Sequence, residues 1–189
     1  MRKTVILCIL LALKVETFCR IVMNKNQWVK KLEDLAKRRT AYSQKYGYNA
    51  LRFDGKTWWC DCSNLMKALF NGRDINDLTK DKFERSTENT GDVNADGLIQ
   101  KCTDLSSDFK KLKKGEPRLI HMPGHMGAYI GKDVSTDHGT CNVIECTAAW
   151  GGGIRYSYVD GKGRRLYGKN GNQNGTWKKH GLPSKWVSY

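Results

Sequence analysis

Apolar residues recur at helical spacing in the first half of the chain. Leu32 and Leu35 fall on one face of a predicted helix that Asn26 can cap. The same spacing predicts a second helix over 63–70 and a third, short helix around Leu98. All three predicted helices precede residue 118.

The second half of the chain changes to the pattern of β-strands. In the best example, Met126, Ala128 and Ile130 alternate with residues that point to the opposite face. Short β-rich segments separated by glycine-bearing turns are predicted at 118–122, 126–130, 142–147, 154–159 and 185–189. The asparagine-rich stretch 168–175 is predicted to be a flexible loop. Helices followed by strands favour an α+β domain with an antiparallel sheet.

The 189 residues suffice for one domain with a hydrophobic core. Residues 1–19 resemble a signal peptide, because Arg2 and Lys3 precede a short apolar run and Cys19 is small enough to flank a cleavage site. A buried N-terminal helix is the alternative. The signal peptide predicts a secreted protein whose single domain spans 20–189. No stretch approaches the roughly 20 apolar residues that span a bilayer, so we expect no membrane insertion.

The net charge of +14 indicates a polyanionic partner. Nucleic acid, anionic lipid and the bacterial cell wall all have the required sign. The basic residues are spread along the chain and accompany no helix-turn-helix, zinc-finger or RNA-binding signature. We therefore expect no nucleic acid as partner, and we expect the protein to be a monomer.

Removal of residues 1–19 leaves five cysteines, an odd number that implies at least one free thiol in an exported protein. Cys62 lies at the predicted start of the second helix, and Asp61 occupies the capping position. The exposed amides at a helix N-terminus favour a thiolate, so a lowered pKa is predicted for Cys62. The alternative is that Cys62 is a small buried hydrophobic residue.

His125 and Glu145 are the candidate partners of this thiol. His125 opens a predicted strand and projects away from its apolar face, where it could act as a base. Glu145 interrupts an apolar strand and would be costly to bury unless it pairs with His125. His121 is the rival for the base.

These segments resemble the NlpC-type cysteine peptidases, which are papain-like peptidoglycan hydrolases. The resemblance rests on Asp-Cys-Ser at 61–63 before a helix, on Gly-His-Met-Gly-Ala-Tyr-Ile-Gly at 124–131, and on Val-Ile-Glu-Cys-Thr-Ala-Ala-Trp-Gly-Gly-Gly at 143–153. It extends over about 28–189 and is strongest to phage and gut-bacterial members. Two positions depart from the family: Asn64 stands where glycine or alanine is usual, and Glu145 stands where histidine, asparagine or glutamine is common.

The resemblance implies a papain-like fold in which the nucleophile helix packs on a central antiparallel sheet. It implies an enzyme, a cysteine peptidase or amidase that hydrolyses amide bonds in peptidoglycan stem peptides. Cys62 would be the nucleophile, His125 the base and Glu145 the orienting residue, while Tyr48, or else Tyr46, would stabilise the oxyanion. No metal or organic cofactor would be required.

Four further residues are predicted to contact the substrate: Trp59, Asp61, Ser63 and Gly124. Pro123-Gly124 is predicted to form a turn that lets another backbone approach closely.

Three other interpretations compete with this one. Residues 92–99 match the first part of a calcium-binding loop, but Thr103 stands where a glutamate is needed, so an Asx-rich turn before a helix explains them better. A zinc site at Cys60 and Cys62 is disfavoured because only one residue separates them. From a different functional class, a basic, non-catalytic wall-binding protein would retain the charge and the tryptophans without using a thiolate.

Overall fold

The computed structural model describes residues 20–44, 51–78 and 89–189. The predicted signal peptide at 1–19 lies outside this range. Within it, the helices are α1 (Lys25–Ala36), α2 (Cys62–Phe70) and α3 (Ala95–Gln100), with a 3₁₀ turn at Phe109–Lys111. The strands are β1 (Met23–Asn24), β2 (Thr40–Tyr42), β3 (Arg52–Phe53), β4 (Trp58–Cys60), β5 (Thr103–Ser106), β6 (Arg118–Met122), β7 (His125–Thr136), β8 (Gly139–Thr147), β9 (Gly153–Val159), β10 (Arg164–Leu166), β11 (Gln173–Thr176), β12 (Lys179–Leu182) and β13 (Val187–Ser188).

The described residues form one large sheet with the strand order β11-β10-β9-β8-β7-β6-β12-β5. All of its neighbouring strands are antiparallel. The predicted α+β class with an antiparallel sheet is therefore confirmed. A small sheet of order β2-β4-β3 and the parallel pair β1-β13 complete the arrangement.

The large sheet packs on both of its faces. One face carries Met126, Ala128 and Ile144, which join the core formed with the three helices. The opposite face carries Tyr129 and Val143, which pack in a second, smaller cluster with residues such as Trp177. The predicted alternation along 126–130 is confirmed, and it places His125 on the face turned away from the helices.

Helix α2 is the most deeply enclosed helix that the structure describes. All nine of its residues are buried, because α2 packs against β7 and β8 of the sheet as well as against α3. The predicted second helix and its Asp61 cap are confirmed. The cap of α1 differs from the prediction: it is Asn24, whose side chain accepts from the Gln27 amide while the Gln27 side chain accepts from the Asn24 amide.

The C-terminal third differs from the predicted strand pattern. Only Val187 and Ser188 of the segment 185–189 form a strand, and they pair in parallel with β1 instead of joining the large sheet. The stretch 168–175, predicted to be a flexible loop, contains the start of β11, which pairs with β10 at the sheet edge. Strand β11 was missed because it is short and polar and shows no apolar alternation, whereas in 185–189 the apolar residues Trp186 and Val187 reflect burial in the core and not membership of the large sheet.

Among the residues that the structure describes, no helix has the length and apolar character needed to cross a membrane.

Candidate active site

Cys62 is the first residue of α2, and its position is fixed by the cap that precedes it. The Asp61 carboxylate accepts hydrogen bonds from the Asn64 backbone at 2.7 Å, from the Asn64 side chain at 2.9 Å and from the Ser63 hydroxyl at 3.1 Å. Asp61 and Ser63, predicted to contact substrate, therefore hold the helix N-terminus together. The cap presents the Cys62 side chain to the start of strand β7.

The Cys62 thiol lies against the backbone on either side of His125. Its Sγ is 3.9 Å from the Gly124 carbonyl oxygen, and the Met126 amide hydrogen-bonds to the same sulfur. Burial, reinforced by the Asp61 carboxylate, raises the pKa of the Cys62 thiol to about 12. The predicted lowering of this pKa is wrong for the described structure, because the cost of desolvating a thiolate outweighs the favourable helix N-terminus.

Pro123 and Gly124 form the two-residue turn that joins β6 to β7, where Met122 pairs with His125. Gly124 has a φ of +74°, the left-handed conformation that the third residue of a type II turn requires after proline. Across 20–44, 51–78 and 89–189, no atom lies within 4 Å of the place where a Cβ on Gly124 would stand, so the expected close approach of another backbone is not found there. Glycine is required here by conformation, not by crowding.

His125 is anchored by Glu145, as the sequence predicted. Its Nε2 lies 2.5 Å from the Glu145 Oε2, across the register in which Gly127 faces Glu145. A Cβ on Gly127 would stand 3.1 Å from the Glu145 Cβ, so glycine at this position leaves room for the pair. Because Nε2 is engaged, Nδ1 is the ring nitrogen through which His125 could exchange a proton.

Glu145 is completely buried and has partners that the sequence did not reveal. The Ser157 hydroxyl donates to its Oε1 at 2.5 Å, and the Arg165 guanidinium donates to its Oε2 from Nη2 at 2.7 Å and from Nε at 2.9 Å. Burial favours the neutral acid, but the His125 hydrogen bond and the Arg165 charge outweigh it, and the pKa of Glu145 lies below its ordinary value. Glu145 is therefore an ionised carboxylate at neutral pH.

An aromatic wall encloses this network. The Trp177 ring stacks on the His125 ring with 5.4 Å between centroids, and the Arg165 guanidinium lies 4.4 Å from the centroid of Trp150. Trp150 in turn stacks on Tyr167 at 5.0 Å. Trp150 has a φ of +54°, a strained conformation for a bulky residue that persists only where surrounding contacts impose it.

His121, the rival base, belongs to a separate pair on the helix side of the sheet. It pairs with Met126 in the β6–β7 register, and its Nε2 lies 2.6 Å from the Asp96 Oδ1 of α3. The Nδ1 of His121 is buried and has no hydrogen-bond partner within the described part of the chain. Asp96 is half exposed, and its hydrogen bond to His121 lowers the pKa of its carboxyl group.

Among the described residues, Tyr42 is a tyrosine whose phenol interacts electrostatically with the Cys62 thiol. Tyr48 and Tyr46 lie outside the described residues, whereas Tyr42 pairs with Cys60 in the parallel β2–β4 register. Burial, followed by the proximity of Cys62 and Asp61, raises the pKa of the Tyr42 phenol, so at neutral pH the phenol keeps its proton and can donate a hydrogen bond. The run of tyrosines ahead of the nucleophile marked the region, but the sequence alone did not single out Tyr42.

Trp59, another residue predicted to contact substrate, is partly buried in the central strand of the small sheet. Its indole nitrogen donates to the Asp54 carboxylate at 2.7 Å, which orients the ring within the β3–β4 hairpin. The structure therefore assigns Trp59 a contact within its own hairpin.

Neither metal site weighed from the sequence gains support. Across 20–44, 51–78 and 89–189 no group of three or more histidine, cysteine, aspartate or glutamate side chains could hold a metal ion. In the calcium-like stretch, Asn94 caps α3 by accepting from the Gly97 amide, and Asp96 binds His121. The preferred explanation, an Asx turn before a helix, is confirmed.

Comparisons of this chain with protein-family models, with curated proteins and with solved structures found no match.

Taken together, the described residues combine a thiol at a helix start, an imidazole anchored through Nε2, an ionised buried carboxylate and a neutral phenol. Each group has the chemistry that acyl transfer through a thioester needs: a nucleophile, a proton acceptor, a group that orients it, and a donor for the oxyanion.

Proposed function

We propose that this protein is a cysteine peptidase or amidase of the papain-like NlpC type that hydrolyses amide bonds in the stem peptides of bacterial peptidoglycan. One observation carries the proposal: the Cys62 thiol contacts the backbone on both sides of His125, whose ring is bonded to a buried, ionised Glu145. The class of substrate comes from the family resemblance of the segments around these three residues.

The thiol must lose its proton during the reaction. Because the pKa of Cys62 is about 12, the resting enzyme holds a neutral thiol, and a preformed thiolate–imidazolium pair contributes little. Substrate would bring the Cys62 Sγ and the His125 Nδ1 together, since catalytic hydrogen bonds are often long before substrate binds. His125 then accepts the proton as Sγ attacks the carbonyl carbon of the substrate amide.

The remaining steps use the same residues. The backbone amide of Cys62 and the hydroxyl of Tyr42 stabilise the oxyanion, and His125 gives its proton to the leaving amine. Water, deprotonated by His125, then hydrolyses the thioester and restores the Cys62 thiol. Glu145 remains ionised throughout and stabilises the imidazolium that forms in each half-reaction.

The charge of the chain fits the proposed partner. The net charge of +14 would attract a protein to a wall rich in carboxylates and phosphates and would raise its rate of association. We propose that the protein acts as a secreted monomer on this surface, in an antibacterial or lytic role, without a cofactor.

A second candidate function has an observation in its favour. The deep burial of Cys62 and its raised pKa are also typical of an inert structural cysteine. A basic wall-binding protein without catalytic activity would have such a thiol. The two candidates differ in whether removal of the sulfur changes any covalent bond in the wall.

The decisive experiment compares Cys62→Ala with Cys102→Ala. Cys102 is a matched control because it is also buried, also has a pKa of about 12 and also lies 3.9 Å from a carbonyl oxygen. Purified peptidoglycan is incubated with each protein, and the released fragments are identified by mass spectrometry. We expect Cys62→Ala to release no peptide fragments and Cys102→Ala to release them nearly as fast as the wild type.

Two results would count against catalysis by Cys62. Release of fragments by Cys62→Ala at the wild-type rate would remove it from the mechanism. Binding of wild-type protein to the wall without any fragment release would favour the non-catalytic candidate.

A further inference from the structure

Two buried cysteines from distant parts of the chain lie in contact beneath the candidate active site. The Sγ atoms of Cys60 and Cys146 are 3.2 Å apart, although 86 positions separate the residues. The Cys146 thiol also donates to the Cys60 carbonyl oxygen at 3.2 Å. A disulfide bond needs about 2.05 Å between its sulfurs, so the two have only about 1 Å left to close.

Each of these cysteines is close in sequence to one of the candidate site residues. Cys60 ends β4, two residues before Cys62, and Cys146 follows Glu145 directly in β8. A covalent bond between them would join the strand that leads into the nucleophile helix to the strand that carries the buried carboxylate. The Cys62 sulfur approaches Gly124 instead.

We propose that Cys60 and Cys146 form a disulfide when the chain folds in the presence of a low-molecular-weight disulfide such as oxidised glutathione. The thiolate of one cysteine attacks the oxidant and releases one thiol, leaving a mixed disulfide. The thiolate of the other cysteine attacks the protein sulfur of that mixed disulfide and releases the second thiol. The pair is oxidised by two electrons, the oxidant is reduced to two thiols, and Cys62 stays a free thiol.

The bond must form before the core closes. Cys60 and Cys146 are almost completely buried, and burial together with the neighbouring Cys60 raises the pKa of the Cys146 thiol well above its ordinary value. An oxidant in solution therefore reacts poorly with the folded pair, and a reductant reacts poorly with the finished bond.

The test is to refold the full chain in oxidised and reduced glutathione, alkylate the remaining thiols and map the cysteines under denaturing conditions. A protease that cuts before aspartate separates Cys60 from Cys62 at Asp61, and one that cuts after glutamate separates Cys141 from Cys146 at Glu145. We expect peptide 54–60 to be linked to peptide 146–159, and peptide 61–73 to carry an alkylated Cys62.

Stability provides a second measurement. Closing so long a loop should raise the Tm of the oxidised protein by roughly 10 °C over the reduced protein. Cys60→Ser and Cys146→Ser should each abolish both the linked peptide and this difference in Tm, whereas Cys141→Ser, at another buried cysteine, should retain both. Alkylation of Cys60 and Cys146 in the oxidised protein, or a bond from either to another cysteine, would overturn the proposal. Because these readouts do not involve hydrolysis, their failure would leave the proposed function standing.

Discussion

The hairpin of β6 and β7 carries two histidines, and each of them contacts a carboxylate. His125 pairs with Glu145 at 2.5 Å and His121 pairs with Asp96 at 2.6 Å, so the two contacts are nearly equal in length. They lie on opposite faces of the sheet, because His125 shares a face with Tyr129 and His121 shares one with Met126. Similar distances conceal very different surroundings.

Burial of the carboxylate separates the two pairs. The Glu145 side chain is 0% exposed, whereas that of Asp96 is 53% exposed. Arg165 and Ser157 also donate hydrogen bonds to the Glu145 carboxylate and hold it in place. Because the carboxylate is buried, water and salt screen its charge little. The exposed charge of Asp96 interacts weakly in water. The burial and hydrogen bonding of the carboxylate, and not the histidine–carboxylate distance, therefore distinguish the candidate catalytic pair.

The largest difference between the pairs should be in catalysis. His125→Ala removes the proposed base, and we expect the rate of peptidoglycan hydrolysis to fall by about 10³-fold. His121→Ala removes a group that the proposed mechanism does not use, and we expect a change of less than about threefold when both are assayed well below their Tm. Fragment release measured by mass spectrometry gives both rates.

The opposite ranking would reassign the base. If His121→Ala abolished hydrolysis and His125→Ala retained it, the functional pair would lie on the helix side with Asp96. Circular dichroism of each variant checks that the comparison is made between folded proteins.

The sequence indicated the His125–Glu145 pair because His125 opens a strand and projects away from its apolar face, and because Glu145 interrupts an apolar strand and would be costly to bury unpaired. It did not indicate Arg165 or Ser157, since β10 is only three residues long and Ser157 occupies an unremarkable strand position. Their contribution depends on the order of strands in the sheet, which local patterns do not encode. The same limit applies to Tyr42, whose proximity to Cys62 depends on the parallel pairing of β2 with β4.

The pKa of Cys62 shows a different limit of sequence reasoning. The helix N-terminus and its cap were predicted correctly, and both bear on the charge of the thiol. The sequence could not show that α2 is buried on all sides, and burial is the largest contribution to the raised pKa. Local electrostatics were predictable, whereas desolvation depended on tertiary packing.

The second prediction concerns stability and tests whether Glu145 and Arg165 act as one unit. Glu145→Gln leaves the buried Arg165 charge without a counter-charge, and we expect the free energy of unfolding to fall by about 3–5 kcal/mol. Adding Arg165→Met to Glu145→Gln removes that charge, so the double variant should recover part of the loss. Urea denaturation monitored by tryptophan fluorescence measures all of these proteins.

Catalysis should not recover along with stability. The double variant still lacks the carboxylate that orients His125, so its rate should remain below that of the wild type. Equal stability of Glu145→Gln and wild type would show that the network contributes nothing to the fold. A wild-type rate in Glu145→Gln would remove Glu145 from the mechanism.

The smallest loss of stability should come from substitution of Asp96, and its dependence on pH provides a further comparison with Glu145. Because its hydrogen bond to His121 lowers the pKa of Asp96, its stabilising contribution is present above the ordinary aspartate value of about 3.9 and is lost as pH falls through the folded-state pKa. We expect Asp96→Asn to lower the free energy of unfolding by less than about 1 kcal/mol at pH 6, since exposed pairs contribute little. This deficit relative to wild type should shrink as urea denaturation is repeated toward pH 3.

The loss of unfolding free energy in Glu145→Gln should also shrink as pH falls, because the pKa of Glu145 is lowered as well. At pH 6 this loss should be several times larger than that of Asp96→Asn. If the two deficits were equal at pH 6, burial would not distinguish these carboxylates, and the reason for preferring His125 over His121 would fail with it.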